Sequence, residues 1–376
     1  MKKMFIYIAV FLALFSCVED EDLPVSDNET TNDSDMVTVD TSTDENEKDD
    51  TETVVDNEKQ DEDVNLGAFC FSGDAILYEG DQQFKMCATD FNRVQKQICK
   101  NGKWVDEGNC LLNYTVVPDG EFLMGCDVDK EGSCEQDNTP LHELRLSEYS
   151  IDKFEVTAQR YQQCIASGFC NNDDIEKPHF QTSSESYKCN IDNSDRANHP
   201  ANCVSWYGAK AFCEWNEMRL PTEAEWEKSA RAGNVQIYPW GNSPEPDCDY
   251  AIMKTVSAGC GNNVTYPVGT TLAGISPFGL YNVAGNVAEY VSDWYSSEFY
   301  ADELAQARDC EGPQDPGPGY DGYKVCRGGS YLYDERRTRT SYRSACKIND
   351  FSSDIGFRCA ADKKNNVKAL NFMEIK

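Results

Sequence analysis

The sequence predicts an α+β chain in which a few short helices stand among short strands and long loops. Three observations carry that expectation. Helix signals, from apolar spacing or from terminal capping residues, stand at short stretches starting at Thr157, Ser205 and Thr222. Most of the remainder is rich in Gly, Asn and aromatic residues, the composition of turns and short strands. Eighteen cysteines in 376 residues read as disulfides of an exported chain, because the cytosol would keep them reduced.

Taken in order, Lys2 and Lys3 precede an apolar run from Met4 to Phe15 that is too short to span a bilayer stably, and residues 1–16 read as a signal peptide. Leu14-Phe15-Ser16-Cys17 resembles a bacterial lipobox, which implies lipidation of Cys17 and a membrane-anchored lipoprotein in the cell envelope, facing the periplasm or the exterior. An ordinary secretory signal ending at a cysteine is the alternative. Within residues 17–66, the stretch from Val18 to Leu66 carries 20 acidic residues, 2 lysines and no aromatic residue. Such a segment cannot bury enough apolar surface to offset its ordering entropy, so it reads as a disordered acidic tether with a reach of about 40 Å.

Residues 67–112 hold Cys70, Cys87, Cys99 and Cys110 around an Asn101-Gly102 tight-turn signal, and read as a small two-disulfide module that faintly resembles a sushi-type repeat. Four cysteines allow three connectivities. The main domain is placed at 113–362, with a tail at 363–376. Residues 67–376 carry 46 acidic and 30 basic groups, a balance that argues against nucleic acid as a ligand.

Within the main domain, Thr157 to Ser167 is a helix candidate bracketed by Thr157 and Gly168. Ser205 to Asn216 sets Trp206, Ala209 and Cys213 on one side and Lys210 and Glu214 on the other, so Cys213 is expected to face the core. Thr222 starts a further helix through a capping box with Glu225. Trp215 and Trp226 are expected to pack these last two helices together. Spacing suggests local pairs Cys126 with Cys134, Cys164 with Cys170, Cys248 with Cys260, and Cys310 with Cys326, and Cys346 is the candidate for the unpaired thiol.

Five motifs then stand in a fixed order: RLPTEAEWE (Arg219–Glu227), YPWGN (Tyr238–Asn242), FGLYNVAGNVAEY (Phe278–Tyr290), RGGS (Arg327–Ser330) and GFRCA (Gly356–Ala360). With GEFLMG (Gly120–Gly125), IDKFEVT (Ile151–Thr157) and HPANCVSWYGAKAFCEW (His199–Trp215), they resemble the formylglycine-generating enzyme, or sulfatase-modifying factor, family. That resemblance implies a C-type-lectin-like α+β fold, low in regular secondary structure, and a disulfide between Cys213 and Cys359. It implies a calcium-binding turn in which Asn282 and Glu289 donate side chains and Gly285 and Val287 donate carbonyls. A hydrogen-bonded turn without metal is the alternative there. A second family calcium site is read as lost, with Ile252 and Gly269 at its positions.

The best-known members of the family oxidise a client cysteine to formylglycine using two copper-binding cysteines soon after the GGS motif. Here those positions fall near Tyr333 and near Thr338 or Arg339, and no cysteine lies between Arg327 and Ala345. Hydroxyls and guanidinium groups cannot replace thiolates as Cu(I) ligands, which argues against copper. His142, His179 and His199 lie far apart and suggest no non-haem iron triad, and no nucleophile-elbow serine is present. Arg343 and Arg358 read as core ion-pair partners by the same resemblance. Tyr331, Tyr333, Arg336 and Arg337 are expected to face solvent in place of the lost site, since aromatics with arginines are typical of binding hot spots.

The sequence therefore predicts an anchored lipoprotein whose domain has lost the oxidase and serves as a binding or structural module for an exported protein or glycan ligand. The alternative is a copper-dependent formylglycine-generating oxidase acting on sulfatase-type clients, with Cys326 and Cys346 as displaced thiols.

Overall fold

Strand pairing begins at the cysteine-rich end. The computed structural model describes residues 70–363 apart from 73–74, 78–80, 88–89, 102, 176–188 and 234; Cys17, the acidic segment 18–66, His179 and the tail beyond Lys363 lie outside the described residues. Strand β1 (Cys70–Ser72) pairs antiparallel with β2 (Ala75–Leu77). Strands β3 (Gln82–Cys87), β4 (Asp90–Lys100) and β5 (Lys103–Leu112) form a three-stranded antiparallel sheet with β4 in the middle. Lys100 faces Lys103 across the turn at Asn101, whose φ of 51° is the left-handed conformation that an Asn-Gly hairpin turn requires. Cys70 is bonded to Cys99. The side chains of Cys87 and Cys110, the other two cysteines of the module, lie outside the described residues.

The main domain continues through β6 (Tyr114–Val117), β7 (Gly120–Met124), the single turn α1 (Val128–Glu131), β8 (His142–Leu146) and β9 (Tyr149–Asp152). Helices α2 (Ala158–Ala166), α3 (Trp206–Trp215) and α4 (Glu223–Arg231) follow. Then come β10 (Ala288–Trp294), β11 (Tyr323–Arg327), β12 (Arg343–Lys347), β13 (Ile355–Gly356) and β14 (Ala360–Asp362). One sheet runs β12-β11-β10-β13 and a second runs β14-β9-β6, so the chain's C-terminal strand returns to pair with β9. The long segments between these elements make this an α+β fold with little regular structure.

Each helix starts where a side chain satisfies an open backbone donor. Thr157 accepts from Arg160 N, Ser205 accepts from Gly208 N, and Thr222 and Glu225 cap each other reciprocally at the start of α4. Helices α2 and α3 pack with Tyr161, Phe212 and Phe357 in one cluster, and there Cys213 is bonded to Cys359 at an S–S distance of 2.03 Å. A bridge across 146 residues restricts the unfolded chain strongly, worth about 5 kcal/mol in loop-entropy terms.

Two expectations about packing are corrected. Trp215 packs on Phe212 in the α2–α3 cluster, whereas Trp226 lies in the cluster formed by β9, β10 and β11. The tryptophans belong to different faces, so they do not join the helices. Cys126–Cys134, Cys164–Cys170 and Cys248–Cys260 are bonded, but Cys326 pairs with Cys346 and Cys310 is left free. The reason is register: β11 and β12 are antiparallel neighbours, with Cys326 opposite Ser344 and Cys346 opposite Lys324, which puts the two sulfurs on one face of the ladder. Cys189 and Cys203 form a further bridge that spacing did not suggest.

The cysteine-rich strands are part of the same folded unit. Ala75 and Leu77 pack on Ile252, Tyr266 and Tyr331. Phe84 sits 4.4 Å from the Phe154 ring and 5.5 Å from that of Tyr281. His199 lies between the hydroxyl of Thr265 and the carbonyl of Ser72, 2.9 Å from each. Replacing the buried Phe84 by Ala should therefore lower stability by about 3 kcal/mol or more in urea unfolding of the whole protein. An unchanged midpoint would mean that the module and main domain unfold independently.

Candidate functional site

The loop between β11 and β12, residues 328–342, occupies the place of the expected active site, and buried charge fixes both its ends. Helix α4 presents Glu223 and Glu227 on one face, four residues apart. Arg343 grips Glu223 with two parallel bonds, Nε to Oε1 at 2.7 Å and Nη2 to Oε2 at 2.9 Å. Arg327 reaches Glu223 Oε1 at 2.8 Å and also pairs with Glu227, which pairs in turn with Arg231. Burial opposes the charge on Glu223, yet Arg343 and Arg327 outweigh it and hold the carboxyl below its ordinary range.

Between these anchors, Gly328 and Gly329 turn the chain at φ 88° and 68°. A Cβ on Gly328 would lie 2.5 Å from the Val283 carbonyl oxygen, so the close approach needs glycine. Ser330 then donates to Asp354 at 2.8 Å.

Of the four residues expected on the surface, Tyr331 is corrected: it is fully buried, its ring packed with Ala75 and Leu77 and its hydroxyl 3.0 Å from Ser353 Oγ. Burial follows from its place directly after the glycine turn, beneath the cysteine-rich strands. Tyr333 is exposed, Arg336 pairs with Glu135, and Arg337 stacks with its guanidinium carbon 3.7 Å from the Tyr333 ring centre and 5.6 Å from that of Tyr342. Thr338 is buried, and Arg339 lies 3.8 Å from the carboxylate of Glu131. No sulfur is present in this loop. The flanking Cys326 and Cys346 are bonded to each other, and Cys326 is fully buried.

Arg337 borders two hollows. The larger, of about 550 Å³, is lined by Gln136, Asp137, Tyr295, Tyr320, Tyr342 and Ser344 among others. The smaller, about 150 Å³, includes Tyr333, Asp350 and Asp354. The rings of Tyr295 and Tyr320 meet at 4.6 Å, and the Tyr295 hydroxyl donates to Asp137 Oδ2 at 2.5 Å. The sequence offered no signal for Gln136, Asp137, Tyr295 or Tyr320, which arrive from segments distant in the chain.

In the turn assigned to calcium, the carboxylate offered to the ion is paired with an arginine. Both oxygens of Glu289 are taken by Arg358, at 2.6 Å from Nε and 2.7 Å from Nη2, and Trp226 Nε1 donates to it at 2.8 Å. The remaining Arg358 donors reach the carbonyls of Asp152, Lys153 and Tyr281. Asn282 Oδ1 accepts from Gly269 N at 2.7 Å, while Gly285 and Val287 belong to the backbone of the same turn. Three donors thus meet Glu289, against the roughly four lone-pair positions that its two oxygens offer. Ile252 and Gly269, read as a lost second calcium site, are both covered by the cysteine-rich strands: Gln82 Nε2 donates to Gly269 O at 3.1 Å, and Ile252 packs with Leu77.

With the fold and site in view, the comparisons are informative. A sulfatase-modifying factor enzyme 1-like domain model matches residues 107–363. The formylglycine-generating enzyme of Streptomyces coelicolor is 33% identical over 290 residues, covering 65% of this chain and 88% of that protein. The Chlamydia caviae serine/threonine-protein kinase pkn1 is 33% identical over 254 residues, 66% of this chain, but the chain spans only 38% of that protein's length. The inactive C-alpha-formylglycine-generating enzyme 2 of Bos taurus is 27% identical, covering 69% of this chain and 92% of that protein. Among solved structures, PvdO from Pseudomonas aeruginosa matches with a TM-score of 0.50 and 24% identity, covering 66% of this chain and 93% of its own. The chain belongs to the formylglycine-generating enzyme, or sulfatase-modifying factor, family.

Two outcomes follow from the buried charges. Removing calcium with a chelator should leave the melting temperature unchanged; a clear drop would show that Glu289 serves a cation after all. Asp293, which accepts from Glu223 N at 2.8 Å, is pushed up to about 8 by burial and by the charge of Glu223. Its folded value lies above the unfolded one of about 4, so its contribution to stability is present below pH 4 and lost as pH rises through about 8. Asp293→Asn should therefore gain stability relative to the parent between pH 5 and pH 8.5, read as the difference in melting temperature at each pH. A difference independent of pH would show that Asp293 is ionised throughout.

Proposed function

We propose that this chain is a lipid-anchored envelope protein whose family domain acts as a binding module and has no oxidase activity. The observation that carries the reading is the loop 328–342: it contains no cysteine, and a Tyr333–Arg337 stack beside an open hollow stands where the oxidase thiols are expected. Cu(I) requires soft ligands, and the loop supplies hydroxyls and guanidinium groups instead. Cys326 and Cys346 do not rescue the chemistry, because they are joined to each other and Cys326 has no exposed surface for a client thiol to approach. Among the described residues the free thiol is Cys310, which lies in a different cleft, where burial pushes it up to about 11 and so keeps it protonated at neutral pH. The bovine relative described as inactive supports the view that this fold is used without formylglycine formation.

The test is turnover. Incubated with copper, oxygen, reductant and a peptide carrying a Cys-x-Pro-x-Arg motif, the purified protein should leave the peptide cysteine unconverted by mass spectrometry, while an active family member converts it. Conversion by this chain would overturn the reading. The lipid anchor is tested separately, by metabolic labelling with a fatty-acid analogue that should be lost in Cys17→Ser.

A further inference from the structure

The loop 328–342 and its flanks carry a set of arginines whose charges are matched with one exception. Arg327 and Arg343 meet Glu223, Arg336 meets Glu135, Arg339 meets Glu131, and Arg358 meets Glu289. Among the described residues Arg337 has no carboxylate partner. Its contacts are the rings of Tyr333 and Tyr342. In a chain with 66 acidic and 34 basic residues, an unmatched guanidinium held by two aromatic rings is unusual, since carboxylates outnumber cations almost two to one.

Stacking on tyrosine holds the guanidinium plane in place while leaving N–H donors along its edge for a planar, two-oxygen acceptor. The hollow of about 550 Å³ beside it is within the range of small-ligand sites. Its lining combines aromatic faces, from Tyr295, Tyr320 and Tyr342, with polar groups that bond hydroxyls, from Gln136, Asp137 and Ser344. Glu135 and Asp137 on the same lining repel a ligand of high negative charge.

Resting on the binding-module reading, we propose that this hollow binds a glycan unit bearing a single carboxylate, a sugar of the uronic-acid type. The carboxylate pairs with the N–H edge of Arg337, the apolar face of the ring packs on tyrosine, and the hydroxyls bond to Asp137, Gln136 and Ser344. A sulfated or phosphorylated polyanion is disfavoured by the neighbouring carboxylates, and a neutral sugar leaves the guanidinium unpaired.

The experiment is calorimetric titration of the full-length protein in detergent with oligogalacturonate, its neutral galactose counterpart, a sulfated glycan and an Asp/Glu-rich peptide. Oligogalacturonate should bind, and the neutral and sulfated glycans should bind at least about tenfold more weakly, as expected when a charged hydrogen bond is lost. Arg337→Ala should weaken oligogalacturonate binding by a similar factor, Arg337→Lys should recover only part of it, and the melting temperature should be unchanged in both. Equal binding of neutral and acidic glycans, an Arg337→Ala protein that binds like the parent, binding of the acidic peptide alone, or no binding at all would each overturn the proposal. Failure here without peptide oxidation sinks this inference alone; peptide oxidation sinks the underlying reading.

Discussion

One carboxylate, Glu223 at the start of α4, receives both Arg327 from the end of β11 and Arg343 from the start of β12. All three side chains are almost wholly shielded from water, so each charge depends on the others: removing one partner from such a set typically costs about 3–5 kcal/mol. The capping box that starts α4 fixes where Glu223 sits, and the antiparallel register of β11 and β12 brings the two arginines to it. The loop 328–342 is therefore clamped at both ends by a single group. Its middle can change without disturbing the clamp, which is how a domain keeps the fold of the family while Tyr333 and Thr338 or Arg339 stand where thiols are expected.

Glu289, which the family resemblance assigns to calcium, instead neutralises Arg358 of the GFRCA motif, and the same arginine ties together the carbonyls that end β9 and precede Asn282. The positions of the lost second ion are filled by the cysteine-rich strands, with Leu77 on Ile252 and Gln82 on Gly269. Apolar contact and a hydrogen bond hold together segments for which the resemblance calls on an ion. The cysteine-rich strands are thus part of the domain's core and bury Tyr331, so they also limit which residues of the loop remain available to a ligand.

Local signals in the chain translated well. Thr157, Ser205 and Thr222 announce helix starts because a cap involves residues within one turn of each other, and Cys126–Cys134, Cys164–Cys170 and Cys248–Cys260 close short loops that spacing alone suggests. Spacing failed for Cys310, Cys326 and Cys346, since the choice between partners rests on which strands lie side by side. It failed likewise for Tyr331, whose burial depends on a segment more than 250 residues earlier in the chain.

By itself the sequence determined the family, through ordered motifs, and the absence of cysteine between Arg327 and Ala345, a chemical fact that no folding can alter. It also determined the acidic balance of the chain, 66 acidic against 34 basic residues. The tertiary structure alone decided which arginines are free. Arg336, Arg337, Arg339 and Arg343 are alike in the chain, but the fold brings a carboxylate from the segment after α1, from α1 and from α4 to Arg336, Arg339 and Arg343 in turn, and only for Arg343 is the pair fully buried. Arg337, stacked on tyrosines at the rim of the hollow, is the one that meets no carboxylate among the described residues.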